Sequence, residues 1–87
     1  MAATSPIKYV RFADNFFVLF PMEGEGVKYP KHADLAKMHT AAPLSAGFLF
    51  ILHAPDGPEI TCQGESLSLN LGPRYDDPEF FIKNLFL

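Results

Sequence analysis

Apolar and polar residues along this chain fall into short blocks instead of one long amphipathic repeat. The run Gly47-Phe48-Leu49-Phe50-Ile51-Leu52 is apolar on both sides, the mark of a strand covered on both faces. Ala54-Pro55-Asp56-Gly57-Pro58 follows with turn chemistry, because proline presets φ and Asp-Gly tolerates positive φ. The chain returns as Glu59-Ile60-Thr61-Cys62-Gln63, so 45–71 reads as a central β-hairpin. Beyond Gly64 the pattern alternates, with Leu67, Leu69 and Leu71 on one side and Ser66, Ser68 and Asn70 on the other. That alternation predicts more strand, continuous if Gly64 is a bulge and separate if it is a break.

The flanking blocks are read the same way. Ile7 to Phe12 and Phe16 to Phe20 predict a first hairpin, turned at Ala13-Asp14-Asn15 and ended by Pro21, which has no ladder donor. Lys31 to His39 predicts a helix entered through Pro30, with Leu35 and Met38 in its apolar stripe. A last helix is predicted from Asp76 or Asp77, as N-cap, through Phe80, Phe81, Leu85 and Phe86. Glu79 is placed to close a capping box with Asp76.

The architecture this implies is α+β: one small domain over 7–87, with 1–6 as a flexible tail. Its mainly antiparallel sheet takes the order β-β-α-β-β-α, and its helices pack on one face. A second apolar sheet face then needs a partner sheet or subunit.

Composition sharpens that point. The 87 residues are 48% hydrophobic and include nine Phe, more aromatic surface than a core of this size readily hides. A homodimer is therefore expected ahead of a monomer. The net charge is −3. Residues 1–40 hold five basic and four acidic groups, and 41–87 hold two and six. No basic stripe is present, and the Phe-rich strands lack flanking cations, so nucleic acid is not an expected partner. No apolar run approaches the ~18 residues of a membrane span. No signal-peptide pattern opens the chain. Together these point to the cytoplasm. Cys62, the single cysteine, reads as a buried, inert thiol in a strand.

Few residues suggest chemistry. Glu23-Gly24-Glu25-Gly26 lacks the Lys and Ser or Thr of a phosphate loop. His32 and His39 are seven apart, too far for one metal ion without a further ligand, and read as solvent-exposed helix positions. His53 reads as exposed beside the central turn, and no metal or cofactor is expected. Asp76 and Asp77 read as helix caps, not as an acid–base pair. The candidate ligand-binding cluster is Glu65, Ser66, Ser68 and Arg74, where two hydroxyls, a carboxylate and a guanidinium can converge. Its bland counterpart is the polar face of an edge strand, with Glu65 and Arg74 as a surface ion pair. A serine hydrolase would need a positioned histidine and an oxyanion hole, and no nucleophile-elbow motif is present.

Ser45-Ala46-Gly47-Phe48, Cys62, Gly64-Glu65-Ser66, Ser68-Leu69 and Arg74 before Asp76 resemble a group of small phage or prophage proteins of unknown function. The resemblance covers roughly residues 32–77 and carries no activity or site residue with it. It implies an accessory viral product made in a bacterial cytoplasm, of a kind that binds something of the host. The favoured reading is a non-enzymatic interaction protein that self-associates through an apolar sheet face or the Phe-rich last helix and binds a host protein. The alternatives are a small-ligand-binding domain or simple enzyme with its site near Glu65, Ser66, Ser68 and Arg74, and a virion or assembly component.

Overall fold

The computed structural model describes residues 6–22 and 30–86. Most of the expected N-terminal tail and the Glu23-Gly24-Glu25-Gly26 loop lie outside the described residues. Six elements follow along the chain: β1 (Ile7–Phe12), β2 (Phe17–Pro21), α1 (His32–Ala36), β3 (Pro43–Ala54), β4 (Gly57–Gln63) and α2 (Asp77–Phe86). The four strands form one antiparallel sheet in the spatial order β2-β1-β3-β4. The domain is thus α+β.

Alternation along β1 explains why both faces of this sheet are covered. Neighbouring side chains of a strand point to opposite faces, and β1 is apolar on both. Tyr9 joins Leu49, Ile60 and the α2 residue Phe81 in one core. Val10 and Phe12 join Ala46 and the α1 residue Leu35 in the other. The helices therefore lie on opposite faces, not on one face as expected. Each face is too apolar to be left to water, and a ten-residue helix covers only one of them.

The second face is completed by Leu69 and Leu71, which pack beside Leu35. They do so because 64–72 is not the predicted strand. Gly64 (φ 76°) and Asn70 (φ 54°) adopt left-handed backbone, and Ser66 and Leu71 close a tight loop by an isolated bridge. Inside the loop the Ser66 hydroxyl accepts the Leu69 N–H at 3.1 Å, a side-chain substitute for a ladder bond. The chain then returns to the sheet margin, where the Gly72 carbonyl accepts the Ala46 N–H at 3.4 Å. Gly47 permits this return. A Cβ at that position would stand 2.8 Å from the Gln63 carbonyl oxygen and 3.0 Å from the Pro73 ring.

The remaining differences are local. Asn15 takes the expected left-handed turn (φ 68°), and β2 begins at Phe17, leaving Phe16 in the turn. Pro6 is tied to the sheet, since its carbonyl accepts the Met22 N–H at 2.9 Å. The first helix stops at Ala36, three residues short of its predicted end. His39 is instead drawn to the β1–β2 turn, where it bonds Asp14 at 2.6 Å and stacks on Phe16 with centroids 4.2 Å apart.

Candidate functional site

The loop of residues 64–72, the start of α1 and the middle of β3 border an open cleft of about 500 Å³. Each wall comes from a different part of the chain. Lys31 is the N-cap of α1, and its N–H donates to the Asp34 carboxylate at 3.0 Å. Lys8 reaches across from β1 and donates from Nζ to the Pro30 carbonyl at 2.7 Å. Its ammonium also lies 5.8 Å from the Phe48 ring centroid, within cation–π range. Leu67, Glu65 and Ser68 supply the opposite wall from the loop.

His32 sits at the back of the cleft and is 5% exposed. Its Nε2 lies 2.9 Å from the Gly47 carbonyl oxygen. A carbonyl only accepts, so Nε2 carries the proton and the other ring nitrogen is an acceptor in the neutral imidazole. Burial holds the His32 pKa below the ordinary histidine range; the Gly47 bond opposes that shift and the Lys8 charge adds to it. The expectation of an exposed histidine here is overturned. Leu35 is the only large apolar residue in a five-residue helix, so α1 seats itself on the sheet partly through His32 and the edge of Phe48, 5.4 Å away. His53 is exposed, as expected.

The four sequence-selected residues do not converge. Glu65 and Ser68 line the cleft. Ser66 is buried at 2% exposure and serves the loop, its hydroxyl lying 3.3 Å from that of Ser68. The Ser68 hydroxyl in turn accepts the Ala33 N–H at 3.2 Å, capping the first turn of α1 from outside the helix. Arg74 lies elsewhere: its guanidinium is 3.6 Å from Asp76 and its N–H donates to Asp77 at 2.9 Å. The Glu65–Arg74 pair envisaged for an edge strand does not form, because the intervening residues make a closed loop and not a strand. Sequence reasoning missed Lys8, Lys31, His32 and Phe48. They come from three segments, and no spacing rule links them.

On the α2 face a buried polar network accounts for the paired aspartates. Asp77 is fully buried and accepts bonds from Tyr9 Oη at 2.6 Å, Arg11 Nη1 at 3.0 Å and Ser45 Oγ at 3.0 Å. Arg11 also donates to Asp76 at 3.1 Å, which holds the Asp76 carboxyl below its usual pKa, and it lies 4.0 Å over the Phe80 ring. The predicted capping roles are therefore replaced: both carboxylates face Arg11, and Glu79 pairs with Lys83 at 3.0 Å. Arg11 lies on the α2 face of β1, where a lone charge must find partners. Burial, with the bond to Asp77, keeps the Tyr9 phenol protonated far above its ordinary range. Asp77 has no solvent access, and the cluster ties β1, β3 and α2 together; its outer edge, Arg11 and Asp76, borders a smaller cleft of about 230 Å³ with Glu79, Phe80, Lys83 and Asn84. Cys62 packs against the same core, and burial raises its pKa to about 11, which leaves it an unreactive thiol at neutral pH.

Among the described residues, no group of three or more His, Cys, Asp or Glu is placed to hold a metal ion. No helix among them is long and apolar enough to cross a membrane. Comparison with known proteins finds no matching family model, no matching curated protein and no matching solved structure.

Proposed function

We propose that the protein is a small non-enzymatic interaction protein whose partner engages the cleft between α1, β3 and the 64–72 loop. The observation that carries this reading is the make-up of the cleft. Two lysines stand beside an aromatic ring, and Leu67 is 85% exposed on the opposite lip. Leu67 and Phe48 bring apolar surface into the same cleft as the charged groups, a mix that favours binding. Chemistry is disfavoured by the wiring of the polar groups: His32 Nε2 is committed to Gly47, and Ser66 and Ser68 are committed to the loop and to α1.

The resemblance to small phage proteins agrees with this reading, since Phe48, Glu65 and Ser68 are among the residues that carry it and also line the cleft. In that setting the partner is a host protein and the site of action the bacterial cytoplasm. Self-association also belongs to the proposal, on altered grounds. The second sheet face is covered from within, so the surface for a homodimer shifts to Phe16 and Met38, 48% and 67% exposed, at the far end of α1.

The test compares proteins captured from a bacterial lysate by the wild type and by Leu67→Asp, with light scattering on both. Loss of a captured protein from the folded variant is the expected result. An unchanged set of captured proteins would sink the proposal.

A small-ligand reading is favoured by one observation, that Glu65 and Ser68 line the cleft. Thermal stabilisation by a small-molecule panel, abolished by Lys31→Gln, is its signature.

A further inference from the structure

We infer that the cleft receives the free C-terminal carboxylate of a polypeptide whose last side chain is apolar; this rests on the cleft being the partner site. The positive wall is the first argument. Lys8 uses one ammonium N–H on Pro30, and an ammonium has three, so donors remain beside those of Lys31. Between them His32 is kept neutral by burial, which places the attraction for an anion on the lysines alone.

Glu65 narrows the class of anion. A carboxylate on the same cleft opposes a doubly charged phosphate, while it accepts an amide N–H of an incoming chain. The apolar residues fix the rest. Phe48 and Leu67 offer a half-buried ring and an exposed aliphatic chain, a seat for one apolar side chain next to the charged group. Because Leu67 and Glu65 are both exposed on the outer lip, a ligand held here continues into solvent. That suits a chain end better than a small molecule, which ordinarily loses ~70 to 90% of its surface to its site. Capture of a terminal carboxylate is an established mode of peptide recognition.

Fluorescence anisotropy with short labelled peptides ending in Leu or Phe, as free acids and as C-terminal amides, tests this on the whole protein. The expected result is saturable binding of the acids and about tenfold weaker binding of the amides, the loss of one charge-assisted contact. Lys31→Gln is expected to bring the acid down towards the amide, with amide-resonance shifts at Ala33 and Ser68 marking the site. Equal binding of acid and amide, or no binding of either, would overturn the inference. Free leucine or N-acetyl-leucine binding as tightly as the peptides would replace the polypeptide with a small acid and overturn it too. If no peptide binds while Leu67→Asp still abolishes partner capture, the inference fails and the proposed function stands.

Discussion

Arg11 and Asp77 meet at 3.0 Å in the interior, their side chains 8% and 0% exposed, and they join the first strand to the last helix. Removing one member of a buried pair leaves the other charged and desolvated, a loss of about 3 to 5 kcal/mol. Asp77→Ala should therefore be severely destabilised in urea titrations. Asp77→Asn keeps the shape and one acceptor and should lose less. Asp76→Ala should lose least, since that carboxylate is 36% exposed and Arg11 keeps Asp77. Equal midpoints for Asp76→Ala and Asp77→Ala would contradict this ranking.

Gly64, Gly57 and Gly47 differ in why they are required, and alanine substitution separates the reasons. At Gly64 an added Cβ meets both a φ of +76° and the Phe48 ring at 2.9 Å. At Gly57 φ is +126° with nothing within 4 Å. Gly64→Ala should cost more than Gly57→Ala, and more than the ~1 kcal/mol typical of left-handed strain alone. Gly47→Ala meets backbone and not a movable ring, and an overpacking loss of about 1 to 3 kcal/mol is expected. Thermal denaturation of the three variants gives the order.

Stability should fall on mild acidification because of His32. Its folded pKa is depressed by burial, so the unfolded chain takes up protons first as pH falls through the ordinary value of about 6.5. The contribution of the neutral ring is thus fully present above that pH and declines below it. A His39→Gln background removes the second ring, the one beside Asp14. There, the melting temperature should drop from about pH 6.5 downward, and His32→Gln should flatten the curve until the carboxylate range. A pH-independent melting temperature between 7 and 5 would contradict it.

Cys62 should resist alkylation. A thiol with pKa about 11 is roughly one part in a thousand thiolate at pH 8, and thiolate is the reactive species. Iodoacetamide labelling should be slow in the native protein and fast in denaturant. Equal rates would contradict the half-buried setting of the thiol.

The local pattern was enough for the four strands of the sheet and for α2, though it ran α1 three residues too long and read a strand into 64–71. Apolar runs at 7–12 and 47–52, the Pro-Asp-Gly turn and the Asp-Pro start of α2 each act over a few residues, and their physics is complete without the rest of the chain. They also established that the sheet is apolar on both faces. What covers those faces was decided only by tertiary structure. Leu67, Leu69 and Leu71 alternate like a strand, yet two positive-φ residues and a serine hydroxyl bend them into a loop that lays Leu69 and Leu71 on the core. The Asp76-Asp77 pair reads as a cap from sequence, because a cap needs only its own helix. Arg11 lies 66 residues away and outcompetes that role through burial.

The candidate site divides along the same line. Glu65 and Ser68 were found from sequence because they share a short polar segment. Lys8, Lys31, His32 and Phe48 come from a strand, a helix start and another strand. Side chains so far apart along the chain meet only after both helices have chosen their faces.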